Sequence, residues 1–321
     1  MTDLTYDMSD VTVTSTTVTR DRVPGGRKKK PGNKHGLAGF LFTAPFMALF
    51  VALFIAPLAY ALYLSLFREQ LVGGNSFVGL DNYTDGLKDK AFTSGVARVG
   101  LFLIVQVPVM LILALAFALI IDSGRVVWGK LYRVGFFVPY AVPTVIAALM
   151  WGFLYGKDFG PFADIADAIG TTPPNFLGEG LMLWSIANVS TWTYTGYNMI
   201  IFYAALRAIP GELYEAAAVD GASAFRTAIH IKLPLLRPAI LLCGIFSVIG
   251  SFQLFAEPQI FYSIAPTVIG KAYTPNLYVY NLAFADQQLN YAAALSFMLG
   301  LVVFVVSYLV MYASRRQEAR G

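Results

Sequence analysis

The sequence predicts an all-α integral membrane protein with six transmembrane helices and both termini in the cytoplasm. Three observations predict it: the composition, the segregation of charge, and the side on which positive charge gathers. Of 321 residues, 57% are hydrophobic and 13% are charged, about half the charge of a typical soluble domain. Six stretches carry no formally charged residue: those between His35 and Arg68, Arg98 and Asp122, Arg133 and Lys157, Glu179 and Arg207, Arg237 and Glu257, and Asp286 and Arg315. A helix rises ~1.5 Å per residue, so a hydrocarbon layer of ~30 Å needs about 20 residues. Each stretch reaches roughly that length. Helices are expected because lipid cannot satisfy free backbone N–H and C=O groups.

The spans are placed near residues 38–66, 97–121, 134–155, 181–206, 238–256 and 292–313. The first follows the basic run Arg27, Lys28, Lys29, Lys30. It is too long for the apolar core of a signal peptide, and no small-residue cleavage site follows it. Residues 1–36 are rich in Thr, Ser, Asp and then Lys. With little to bury, they read as a disordered basic cytoplasmic tail whose cationic run sets orientation or touches anionic membrane lipid. Residues 37–313 form the transmembrane domain and 314–321 a short cytoplasmic tail. Pro45, Pro57, Pro108, Pro139 and Pro143 fall inside the first three spans, where each removes a backbone hydrogen bond and permits a kink.

Orientation follows from Lys and Arg, which collect on the cytoplasmic side. Segments 1–36, 122–133, 207–237 and 314–321 hold 17 of the 23, whereas the intervening loops, of nearly equal length, hold 5. The single cysteine, Cys243, excludes an internal disulfide. No Cys/His cluster or metal-ligand spacing occurs, His230 is isolated, and no paired carboxylates suit catalysis, so neither a metal site nor an enzyme is expected.

One cytoplasmic loop, 207–237, is more than a connector. Pro210 ends the preceding helix. Glu212–Val219 is a good helix former with Ala216, Ala217 and Ala218 at its centre. Gly221 is placed as a C-cap, where left-handed backbone costs little. A second helical stretch, from about Ser223 to Lys232, is expected to stop before Pro234. Small residues on the first helix allow close approach of another surface.

Glu215-Ala216-Ala217, then Gly221, Ile231, Leu233 and Pro234, match every fixed position of the EAA loop of binding-protein-dependent ABC importer permeases, so the chain resembles that family. Phe77-Val78-Gly79-Leu80-Asp81-Asn82-Tyr83, Asp220-Gly221-Ala222 and Tyr291-Ala292 resemble its maltose-permease-like group, which imports oligosaccharides and glycerol phosphates. The likeness covers roughly residues 40–313. The Gly-Gly-Pro segment frequent in that group is missing between Ser263 and Pro275.

The resemblance implies a multi-pass subunit of the bacterial inner or plasma membrane. Its partners would be a second, homologous permease subunit, two ATP-binding subunits and an extracellular solute-binding protein. ATP and Mg would be held by the ATPases, with no cofactor on this chain and no nucleic-acid partner. Glu215, Ala216, Ala217, Asp220, Gly221, Ile231, Leu233 and Pro234 would couple to the ATPase. Glu215 would make a charged contact and Gly221 the turn that seats the helix. The chain's own residues agree that ATP is cleaved elsewhere. Around Gly270-Lys271, the phosphate-binding pattern would need Gly at 265 and Ser or Thr at 272, where Ala265 and Ala272 stand.

A sugar path needs hydroxyl, amide and aromatic groups on one helix face, turned into the bundle because polar groups are costly in lipid. The fourth span offers Ser190, Thr193, Tyr194 and Tyr197, and the fifth Ser247, Gly250, Ser251 and Leu254, each set at i, i+3, i+4, i+7. Counted from Glu215 without gaps, both sets fall where maltose-type permeases contact sugar. Small and hydroxyl residues also serve helix packing. An ion-coupled secondary transporter would need ionisable residues at bilayer depth and leaves the loop motif unexplained. A permease for glycerol phosphate or another small solute would need a basic residue facing the path, and none is evident.

Overall fold

A computed structural model describes residues 34–70, 74–124 and 126–318. Most of the expected N-terminal tail, including its basic run, lies outside the described residues. The chain divides into two compact units at Ile55. In the first, α1 (Lys34–Phe50) begins four residues earlier than expected and runs into a π-helical turn, Val51–Ile55.

The second unit begins with α2 (Ala56–Ser65) and a two-stranded antiparallel hairpin that the sequence did not announce, β1 (Phe67–Gln70) and β2 (Gly74–Phe77), with Phe67 opposite Phe77. Next come α3 (Asp81–Lys88) and α4 (Lys90–Asp122). Asn82 is buried and donates to the carbonyls of Ser65 and Phe67, while the hydroxyls of Tyr83 and Ser65 share a hydrogen bond. The first of these bonds occupies the carbonyl left over at the last residue of α2, as helix termini require. Asp89 caps α4 with one carboxylate oxygen and accepts the hydroxyls of Tyr278 and Tyr291 with the other. Burial and Asp89 together push the Tyr278 hydroxyl up to about 12.

The predicted third span is a broken pair, α5 (Gly129–Ala141) and α6 (Thr144–Leu154), bent by 96°. The cause is local: Val142 precedes Pro143, is pushed out of the helical region and stands extended at φ −76°, ψ 125°. After the short α7 (Pro161–Ala168), α8 (Met182–Arg207) crosses α5 so closely that a Cβ on Gly196 would lie 1.7 Å from the Phe136 carbonyl oxygen. Glycine there is a requirement of the crossing.

In the 207–237 loop, α9 (Glu212–Val219) occupies the predicted residues, and α10 (Ala224–Thr227) is capped by the Ser223 hydroxyl. One expectation is corrected. The helix does not stop before Pro234 but continues through a π-helical turn, Ala228–Lys232, into α11 (Leu233–Phe252). Inside a running helix Pro234 lacks the N–H that would bond the turn before it, and its ring crowds that turn. The wider turn absorbs the change. The same device sits in α1–α2, where a π-helical turn ends two residues before Pro57. The chain closes with α12 (Ala256–Ile264), α13 (Pro275–Phe284) and α14 (Leu289–Glu318).

Among the described residues, four helices are long and apolar enough to cross a membrane: Gly39–Ser65, Lys90–Asp122, Ala224–Ile264 and Leu289–Ala313. The α5–α6 pair makes a fifth if counted as one span. α8 has the length, with 26 residues, but is more polar than the others. α4 and α8 form the spine. Phe102 of α4 packs with Ile186 and Val189 of α8 at one end, and Ala114 and Ala118 pack with Met199 and Phe202 at the other.

Candidate functional site

α4, the α5–α6 bend, α8, α11 and the start of α12 enclose a cavity of about 440 Å³. From α8 come Ser190, Tyr194, Tyr197 and Asn198, and from α11 Ser247, Gly250 and Ser251, with Leu254 just beyond it. Seven of the eight residues predicted for a path therefore meet in one place. Thr193 does not. It is buried in the bundle, and its hydroxyl has no partner in the described structure. At ~100° per residue, Tyr194 and Asn198 lie on one side of Ser190 and Thr193 falls about 60° to the other. The lining stripe thus runs i, i+4, i+7, i+8.

The hydroxyls and amides are anchored to their own helices. Ser251 donates to the Ser247 carbonyl and Asn198 to that of Tyr194. Such back-bonding fixes a side chain while leaving oxygen lone pairs open to a ligand. Tyr140, at the bend, stacks on Tyr197 with ring centroids 4.6 Å apart and meets Tyr194 edge-on at 6.0 Å. Gly250 has open space where a Cβ would stand, so it widens the cavity and makes no close helix contact.

Reading the sequence alone misses Gln106, Met110, Tyr140, Thr144 and Glu257. Gln106 was visible as the lone amide in an otherwise apolar span. Glu257 was hidden because it closes a charge-free stretch and so passes for a boundary. Instead it is 4% exposed, lines the cavity, and accepts a 3.4 Å hydrogen bond from Ser190. Among the described residues, no Lys or Arg lines the cavity.

The second predicted constellation lies on the 207–237 loop. Gly221 adopts φ +69°; its N–H bonds the Ala218 carbonyl, and that of Ala222 bonds the Ala217 carbonyl. This paired pattern is a Schellman cap, and it explains the glycine. Glu215, Ala216, Asp220 and Gly221 are exposed, while Ala217 is buried. Ile231 and Pro234 are half-buried at the π-helical turn, with Leu233 more open. Val219 is 88% and Phe225 74% exposed. Burial raises the Tyr214 hydroxyl above its ordinary pKa; Asp122 adds to the shift and Arg207 opposes it.

Residues 87–320 match the family model described as the inner membrane component of binding-protein-dependent transport systems. The chain belongs to this family. As a binding-protein-dependent transport component it is an inner membrane permease subunit, a transport protein and not an enzyme. It is 31% identical to the lactose transport system permease protein LacF of Rhizobium radiobacter, with 87% of this chain and 95% of that protein covered. It is also 31% identical to the arabinooligosaccharides transport system permease protein AraP of Bacillus subtilis (strain 168), over 88% and 90%. Its fold matches a chain in the crystal structure of a bacterial ABC transporter involved in import of the acidic polysaccharide alginate, with a TM-score of 0.77 and 19% identity over 88% and 97% of the two chains.

Proposed function

We propose that this permease passes a neutral di- or oligosaccharide, delivered by an external solute-binding protein, through the α8–α11 cavity. The carrying observation is the cavity wall: tyrosine rings, hydroxyls and amides with no basic side chain. Sugars stack apolar C–H faces on aromatic rings and hydrogen-bond through their hydroxyls. The named substrates of LacF and AraP, lactose and arabinooligosaccharides, favour the same class. A relative named for sn-glycerol-3-phosphate transport, UgpA of Agrobacterium fabrum, is 32% identical over 84% of this chain. An anion path, however, would need a cationic group where this cavity presents Glu257.

In this reading six helices cross the membrane with both termini cytoplasmic, α8 being the sixth. At 26 residues it is about 39 Å long, and turning its polar stripe into the cavity keeps that stripe from lipid. A second permease subunit and two ATPases complete the complex, and α9 with its Gly221 turn seats in the ATPase. The exposed Val219 and Phe225 beside Glu215 support such a docking face.

The test is purification with the co-encoded neighbours in nanodiscs, followed by ATPase and uptake assays with loaded binding protein. ATPase activity stimulated by a sugar-loaded binding protein, with uptake lost in Gly221→Pro, is the expected result. Unchanged uptake in Gly221→Pro removes the coupling assignment. Stimulation only by an anionic solute removes the sugar.

A further inference from the structure

Lys232 sits in the last position of the π-helical turn that joins the 207–237 loop to α11. Its ammonium makes an ion pair with Asp122, the last residue of α4. Both side chains are enclosed: 15% of the lysine's surface and 6% of the aspartate's remain exposed. The same ammonium lies 5.0 Å from the centroid of the Tyr214 ring on α9, and the buried Tyr214 hydroxyl has no partner in the described structure. One cation therefore touches three elements: the exposed helix of the loop, the base of α11, and the cytoplasmic end of α4, which itself lines the cavity through Phe102, Gln106 and Met110. The other ion pairs among the described residues, Arg68–Asp85 and Lys271–Asp286, are far more exposed. A pair this enclosed is held rigidly, since separating its members would strand two charges away from water.

We propose that Lys232 and Asp122 are positioning residues that make α4 follow the loop, so that a push on α9 moves two walls of the cavity together. Without them α11, continuous with the loop, would still follow, while α4 would be joined to it by apolar packing alone. The inference rests on the reading of 207–237 as the element that meets the ATPase.

The experiment uses the full transporter with its ATPases and binding protein, measuring ATP hydrolysis and sugar uptake on the same preparation. The neutral pair Asp122→Asn with Lys232→Met is expected to assemble and hydrolyse ATP within about twofold of the parent while uptake falls about tenfold. The reversed pair Asp122→Lys with Lys232→Asp is expected to recover at least half of the uptake. Parent-like uptake in the neutral pair overturns the proposal. A second measurement holds if the neutral pair fails to assemble. Asp122→Cys with Lys232→Cys, in a Cys243→Ser background, is bridged by a short bis-maleimide. Retained uptake after bridging supports ends that travel together, whereas a block on transport shows that they must part and overturns the joint. If the coupling reading itself is wrong, Gly221→Pro keeps full uptake, an outcome separate from either of these.

Discussion

The cavity and the 207–237 loop are built in opposite ways. The residues of the loop motif lie within 20 positions of one another, from Glu215 to Pro234. Local chemistry holds them: a glycine cap, a serine cap and a proline-paired π-helical turn. The cavity's residues span from Phe102 to Glu257, come from six elements, and meet only because α4, α8 and α11 pack together. The loop is encoded as a string, whereas the cavity is encoded as a topology. Damage should therefore spread differently in the two regions.

The same substitution at two glycines tests this most directly. Gly196→Ala places a methyl carbon inside the Phe136 backbone, so α5 must move off α8 and the Tyr140–Tyr197 wall opens. We expect a loss of about 3 kcal/mol or more, read as a large fall in the thermal unfolding temperature in detergent, with uptake abolished. Gly196→Ala at parental stability would show that the α5–α8 crossing is looser than the structure has it.

An intermediate effect is expected at Glu257. A carboxylate with a single long hydrogen bond to a side chain, and no cation beside it among the described residues, is costly to bury. Glu257→Gln should therefore leave thermal stability equal or raised while uptake of a neutral sugar falls about tenfold, or about 1.4 kcal/mol of binding. Parallel loss of stability and uptake would make Glu257 a packing residue and shift the comparison toward a purely apolar wall.

The smallest effect belongs to Gly221→Ala. No atom lies within 4 Å of the added carbon, and only the left-handed backbone at φ +69° resists it. The expected cost is about 1 kcal/mol, confined to the loop, with the cavity and the unfolding temperature nearly unchanged and uptake reduced in proportion to the turn's distortion. A global loss of stability as large as that of Gly196→Ala would erase the distinction between the two regions.

The same contrast explains what could be read in advance. α9 and the Gly221 cap were legible because capping and helix propensity act over a few residues. Seven of the eight residues expected on a path line the cavity because the stripes on α8 and α11 repeat at helical spacing. Thr193 misled because a sequence shows which residues share a face but not where the neighbouring helices stand on it. The bend at Val142-Pro143 has a local cause, yet whether a proline kinks a helix or breaks it by 96° depends on what packs around it. Glu257 was unreadable because a charge at the edge of an apolar stretch looks like the membrane surface until the fold closes over it. The continuation through Pro234 was missed because proline does not always stop a helix: a widened turn carries the backbone past Pro234, and α4 runs on past Pro108.

That continuation has a mechanical consequence. From Ala224 to Phe252 the helical backbone is unbroken, with one π-helical turn, Pro234 and Pro238 along it. Lys232 and Ser247 are 15 residues apart on it, or about 22 Å. A tilt of ~10° about the Lys232 end would carry Ser247 sideways by about 4 Å at that helical rise. In the coupling proposed above, this helix is a lever that carries a small displacement at the 207–237 loop to the cavity wall at Ser247.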